Sequence, residues 1–196
     1  MKYEEHFPTL IYYDKIDVDG LEEKSYKLKK ESNGRIISNR GGWQSHNIEE
    51  NPLFSKLVND IEQKALEVHD NIYHKNTGKF KVVEMWVNVN SSKSYNASHI
   101  HPNTDLCGNI YVKTSKNCGN TFFEDPRMVH RMNDPYNNTL MNRLTFKQVY
   151  YKPETGVLLF FPPWIQHGVE PNMSDEDRIG IAFNMKYEVT NGNTNK

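Results

Sequence analysis

The sequence predicts a mainly β domain with flanking helices, built as an antiparallel sandwich or barrel. Past Gly78 the chain breaks into short segments rich in β-branched and aromatic residues: Phe80 to Asn90, Asn109 to Lys113, Thr121 to Glu124, Thr145 to Tyr151, Gly156 to Phe161 and Arg178 to Tyr187. Turn residues separate them at short intervals, as antiparallel strands require. Helical periodicity is confined to the N-terminal half, so helices do not alternate with strands as they do around a parallel sheet. The last segment has two unlike faces. Ile179, Ile181, Phe183 and Met185 form a packing face, while Arg178, Gly180, Ala182 and Asn184 form a small, polar one suited to a ligand cavity.

The elements follow in order. Thr9 to Tyr13 is extended, Asp17 to Gly20 turns, and the stretch to Glu31 suits a short polar helix. Asn33-Gly34 and Gly41-Gly42 punctuate a loop that holds the aromatic-and-amide run Ser38-Asn39-Arg40-Gly41-Gly42-Trp43-Gln44-Ser45. The clearest helix runs from Pro52 to Tyr73, with Asn51 as its cap and Pro52 at its first position. Leu53, Phe54, Leu57, Val58, Ile61, Ala65, Val68 and Ile72 give it one apolar stripe that needs a sheet to pack on. His69 and His74 read as surface or boundary residues. Asp125 to Leu140 is a long polar connection of the kind that borders active sites. One domain is expected over residues 1–189, with the polar tail 190–196 disordered.

Composition narrows the function. Lys and Arg number 24 against 25 Asp and Glu, a formal net charge of −1, so no single-sign field points to nucleic acid or an anionic membrane. No apolar run approaches the length that spans a bilayer, and Met1 to Leu10 lacks a secretory pattern. Cys107 and Cys118 are too few for a disulfide scaffold, which makes a reduced, cytoplasmic setting the expectation.

The chemistry lies in the histidines. In an extended chain His99 and His101 point to one side and can reach one ion, with Ile100 entering the opposite layer. His167 sits at the end of an apolar strand, where a buried ring needs partners. Hydrogen-bonded structural histidines are the plainer alternative for all three. Arg178 can clamp a carboxylate with two parallel bonds, or pair with Asp175, Glu176 or Asp177 at the surface. Tyr111 is a candidate second donor to the same carboxylate. Asn96, Asn88 and Trp86 are candidates to support the pocket, and Trp43 and Arg127 to touch substrate.

In order and spacing these residues resemble the 2-oxoglutarate and Fe(II)-dependent oxygenases, and within them a bacterial and phage branch similar to prolyl hydroxylases. The resemblance rests on Ser38-Asn39 with Gly41-Gly42-Trp43-Gln44-Ser45, His99-x-His101-Pro102, Gly108-x-x-Tyr111-Val112, Gly119-Asn120-Thr121-Phe122-Phe123 and Asp125-Pro126-Arg127. It closes on Gly156 to Pro162, His167-Gly168-Val169 and Arg178 to Asn184, and so covers about Phe7 to Met185. It implies a double-stranded β-helix (a cupin-like jelly roll) and a hydroxylase that converts 2-oxoglutarate and dioxygen to succinate and carbon dioxide while oxidising a C–H bond. Its substrate would be a peptide side chain or a small metabolite, its oligomeric state open, with a homodimer among the options.

By the same resemblance His99 and His167 match metal ligands, and Arg178, with Tyr111 and Asn184, would bind the keto acid. The family places an acid where His101 stands. Three histidines therefore hold the iron, or Asp105 completes the site, or His101 is the first ligand with His99 behind it; the period-two spacing favours His99, His101 and His167 together. The small hydroxyl residue usual two places past the arginine is Gly180 here. A cupin-like metal dioxygenase that uses no keto acid, and a non-catalytic jelly-roll protein, are the competing expectations.

Overall fold

The expected strands assemble into two antiparallel sheets in the computed structural model, which describes residues 2–4, 6–75, 77–127 and 146–189. In chain order they are β1 (Tyr12–Lys15), helix α1 (Leu21–Glu31), β2 (Asn39–Arg40), β3 (Trp43–Gln44), a 3-10 turn (Pro52–Phe54) leading into α2 (Ser55–Ile72), then β4 (Gly78–Asn90), β5 (Tyr95–His99), β6 (Leu106–Lys113), β7 (Thr121–Glu124), β8 (Gln148–Tyr151), β9 (Val157–Phe161), β10 (His167–Val169) and β11 (Arg178–Val189). The larger sheet has the order β1-β9-β6-β11-β4-β3 and the smaller β2-β5-β10-β7-β8. The tail 190–196 and most of the Asp125 to Leu140 connection lie outside the described residues.

Asn51 accepts from the Leu53 amide and Pro52 opens a 3-10 turn where the sequence placed the helix start, and α2 itself follows from Ser55. Phe54, Leu57, Ile61, Ala65 and Val68 are buried in a core that also takes the outer face of the larger sheet. Each of these side chains other than Ala65 contributes on the order of 1.5–3 kcal/mol relative to exposure. Leu53 and Ile72, at the ends of the expected stripe, remain exposed. His69 corrects the sequence reading: it is 1% exposed, stacked on Tyr187 with centroids 5.7 Å apart and bonded to Asp70 and Thr77. The last turn of α2 lies against the far end of β11, which residue spacing along the helix does not reveal.

β4 explains how one strand serves two layers. Phe80 and Val82 face the core from even positions, Met85, Val87 and Val89 from odd ones. A change of phase needs an extra residue, and the register supplies it: Asn184 pairs with Glu84 and Met185 with Val82, leaving Val83 as a bulge. Beyond the bulge Trp86, Asn88 and Asn90 point to the other side, between the sheets. β11 keeps the predicted alternation, with Ile179, Ile181, Phe183 and Met185 in the core. A second apolar cluster, including Tyr111, Phe123, Leu159 and Phe161, fills part of the space between the sheets.

Strands β2, β3, β5 and β10 escaped the sequence reading because they are short and largely polar. Pairing with neighbours creates them rather than intrinsic propensity. β5 ends at His99, so His101 lies past the strand, and Ile100 is 50% exposed instead of entering an opposite layer.

Candidate metal centre and co-substrate pocket

His99 closes β5 and His167 opens β10, and the two are direct cross-strand partners. His101 reaches the same place from the following loop, where its amide donates to Pro163 O at 2.9 Å. One nitrogen from each ring lies within 4.8 Å of the others, the arrangement expected of ligands to a single ion. Hydrogen bonds on the far side of each ring say which nitrogen is free. His99 Nδ1 donates to Ala97 O at 2.7 Å and His167 Nδ1 to Ile165 O at 2.9 Å. His101 Nδ1 donates to Asn184 Oδ1, and Asn184 Nδ2 donates in turn to Glu84 Oε2 at 2.6 Å, which sets the orientation of the amide. A carbonyl oxygen only accepts, so Nδ1 carries the proton in all three rings and Nε2 presents a bare lone pair. Orienting bonds of this kind accompany metal-binding imidazoles generally.

Burial keeps the rings neutral. It lowers the pKa of His99, that of His101 to about 4 and that of His167 to about 3, where the adjacent His99 and His101 add repulsion. A histidine with a depressed folded-state pKa binds more protons unfolded, so stability rises with pH between the folded and unfolded values. The metal-free protein should therefore lose thermal stability as pH falls from about 6.5 toward 4, and thermal melts across that range check it. A flat profile would mean that the rings are solvated.

The sequence left the second ligand open, and the structure groups His101 with His99 and His167. Asp105, the alternative, points elsewhere: its carboxylate accepts from the Tyr187 amide at 2.9 Å and faces Lys186. Asn184 stands behind His101 and outside the cavity lining: its Oδ1 accepts from His101 Nδ1 and its Nδ2 donates to Glu84, a position that orients the ring. It takes the orienting role that Asn96, bonded to Asn90 and Ser38, does not fill. Asn184→Ala should weaken Fe(II) binding by about 10- to 100-fold, measured by anaerobic titration. Undiminished affinity would remove Asn184 from the site.

A cavity between the sheets is lined by the three histidines, Tyr111, Thr121 and Arg178, with the small residues Gly180 and Ala182 beside them. Arg178 is 4% exposed and has no surface partner. Its Nη1 donates to Cys118 O at 2.5 Å and, at longer range, to Gly119 O and Glu170 O. Gly119 permits this seat: at φ +86° a Cβ would stand 2.9 Å from Nη1 and 2.4 Å from Glu170 O. Nη2 is buried and has no hydrogen-bond partner among the described residues. Burial lowers the arginine pKa to about 10, which leaves it a cation. Tyr111, 2% exposed and with its pKa raised to about 12 by burial, donates its proton to Thr121 Oγ1 at 2.7 Å. The hydroxyl proton left for a carboxylate is thus that of Thr121, a residue the sequence reading passed over. Its signal was a polar residue on the same inward face of β7 as buried Phe123.

Two substrate candidates are not at the cavity. Trp43 packs on the core and donates Nε1 to Ser32 O at 2.9 Å. Arg127 is held in a two-pronged bond by Asp125, beside an outer groove.

Residues 84–184 match the family described as "Putative 2OG-Fe(II) oxygenase". No curated protein sequence matches the chain. The structure is similar to a Pseudomonas putida prolyl-4-hydroxylase (TM-score 0.64, 11% identity, 91% of this chain and 92% of that one). HygX from Streptomyces hygroscopicus, crystallised with nickel, 2-oxoglutarate and hygromycin B, aligns with TM-score 0.60 at 13% identity over 91% and 83% of the two chains. The viral collagen prolyl hydroxylase of Paramecium bursaria Chlorella virus-1 gives 0.55 and 17% over 89% and 95%. These structural likenesses establish a shared mixed β/α fold with antiparallel sheets. With the matched family over half its length and a three-histidine triad in the cavity, the chain belongs to the 2OG-Fe(II) oxygenase superfamily and is an enzyme of that type.

Proposed function

We propose that the protein hydroxylates a C–H bond of a small metabolite or peptide side chain, with 2-oxoglutarate and dioxygen as co-substrates. The observation that carries this is Arg178 Nη2: a buried, partnerless guanidinium N–H in the same cavity as three bare imidazole nitrogens. Leaving such a donor unmatched costs about 1–3 kcal/mol or more, and a carboxylate of a diacid matches it. The order of strands supports a jelly roll, because β4, β6, β9 and β11 share one sheet and β5, β7, β8 and β10 the other.

His99, His101 and His167 would hold Fe(II) through Nε2, since neutral imidazoles suit that ion. When bound, iron supplies the redox chemistry that splits dioxygen between succinate and the hydroxylated product. The chain supplies position and charge. Arg178 holds the distal carboxylate, the Thr121 hydroxyl offers it a second donor, and the Tyr111 bond fixes Thr121. Gly180 leaves room beside the arginine; its Cβ would stand 3.1 Å from Asn109 Oδ1. The three ligands bring no negative charge, so a dianionic keto acid would partly neutralise the site. Anaerobic addition of Fe(II) and 2-oxoglutarate should produce a visible charge-transfer band that needs both, followed in air by succinate. The lack of a carboxylate ligand favours a second reading, a cupin-like dioxygenase without keto acid; iron binding that ignores 2-oxoglutarate would select it.

A further inference from the structure

Arg35, Gln44 and Asn88 stand in one row across the edge of the larger sheet. Arg35 bridges to Gln44, Gln44 pairs with Asn88, and Asn88 pairs with Gly180 of the cavity lining. Directly opposed residues of antiparallel strands project from the same face, here the face that also carries Trp86 and Arg178. Each side chain of the row has a buried polar atom without a hydrogen-bond partner: Arg35 Nε, Gln44 Oε1 and Asn88 Oδ1. The adjacent row adds Asn90 Oδ1 and Arg178 Nη2; Tyr12 Oη is the only other such atom among the described residues. Buried polar groups are ordinarily satisfied. Their concentration along one inner face marks where partners come from outside the chain.

Arg35 decides what kind of partner. Its guanidinium carbon lies 5.8 Å from the Trp86 ring centre. Trp86 in turn lies nearly parallel to the His101 ring, at 5.8 Å and 22°. No carboxylate among the described residues pairs with Arg35. A planar cation over an aromatic face, beside a metal-site histidine and with a free N–H, matches a carboxylate. The two amides are cross-strand partners and within reach of each other; among the described residues nothing hydrogen-bonds Arg35 Nε. Asn88 lines the cavity, and its Oδ1 accepts an N–H or O–H.

We propose that Arg35, Trp86 and Asn88 form the primary-substrate subsite, and that the substrate is a small carboxylic acid bearing an N–H or O–H on the adjacent carbon, a free amino acid or a 2-hydroxy acid. The proposal rests on the keto-acid-dependent reading above and names its substrate class. Arg35 takes the carboxylate and Asn88 the neighbouring donor, with the carbon skeleton against Trp86. An internal peptide residue has no main-chain carboxylate to offer. In the reaction one substrate C–H bond is replaced by C–OH. One oxygen atom of dioxygen enters that hydroxyl and the other enters succinate, as the keto acid is oxidised with loss of carbon dioxide.

The test uses the full chain, loaded anaerobically with Fe(II) and 2-oxoglutarate. Each free L-amino acid is added at millimolar concentration beside its 2-hydroxy counterpart and its carboxamide. Binding is read as a shift of the charge-transfer band, and turnover in air as succinate. At least one free acid should shift the band and raise succinate formation, and its carboxamide should bind about tenfold or more weakly. The amino and 2-hydroxy arms identify which donor Asn88 receives. Arg35→Gln should abolish the preference for acid over carboxamide, and Arg35→Lys should restore part of it, a pattern that general misfolding does not give. Equal binding of acid and carboxamide, an intact preference in Arg35→Gln, or no shift by any free acid would overturn the proposal. Failure of the band itself to form would instead overturn the keto-acid reading, and this inference with it.

Discussion

His167→Ala should abolish iron-dependent succinate formation and lower Fe(II) affinity by more than the about 100-fold that loss of an orienting residue can cause. His167 is 5% exposed, directly opposite His99, and its protonated Nδ1 is fixed on Ile165 O, so only Nε2 is available to an ion. Truncation removes one of three ligands and leaves two, neither of which can move to compensate. His99 is tied to Ala97 and His101 to Asn184. The Ile165 carbonyl also loses its donor, a cost of about 1–3 kcal/mol, so melting temperature and circular dichroism should accompany the titration. His167→Gln fills more of the space and separates folding from ligation. Iron-dependent turnover unchanged in both folded variants would eliminate the three-histidine centre.

Arg178→Ala should act on the keto acid rather than on the metal. Removing one partner of a buried, hydrogen-bonded charge pair costs about 2–5 kcal/mol, on the order of 30- to 5,000-fold in affinity. We therefore expect the 2-oxoglutarate Kd to rise by that factor, while Fe(II) affinity without keto acid stays near that of the parent protein. Arg178 Nη1 also latches the Cys118, Gly119 and Glu170 carbonyls. Arg178→Lys keeps a cation on a buried stem and should recover part of the keto-acid affinity without the two-pronged geometry. An unaltered 2-oxoglutarate Kd in Arg178→Ala would show that the unmatched Nη2 has another purpose.

Much of this was legible before any coordinates. The alternation of β11 placed Ile179, Ile181, Phe183 and Met185 in the core and Arg178, Gly180 and Ala182 at the cavity, as found. Hydrophobic periodicity located α2, and the His-x-His spacing with the distal His167 identified the metal cluster. Asp105, Asn184, Trp43 and Arg127 lie outside the cavity lining for a common reason. Each has a residue type suited to the site, and each is turned away by a contact that spacing does not encode. Asn184 shares the face of Arg178, but its cross-strand partner is Glu84, the last pair before the bulge at Val83, and the amide is drawn between Glu84 and His101. His69 was misplaced because the ring that covers it, Tyr187, is far along the chain.

By itself the sequence determined the two faces of β11, the apolar stripe of α2 and the set of imidazoles available, because side-chain alternation and helical pitch are properties of the local backbone. Only the tertiary structure decided which nitrogen of each ring is free, which arginine N–H goes unmatched, and which asparagine supports a ligand. Those outcomes depend on single hydrogen bonds between residues as distant as His101 and Asn184, whose geometry exists only once both sheets have closed on the cavity.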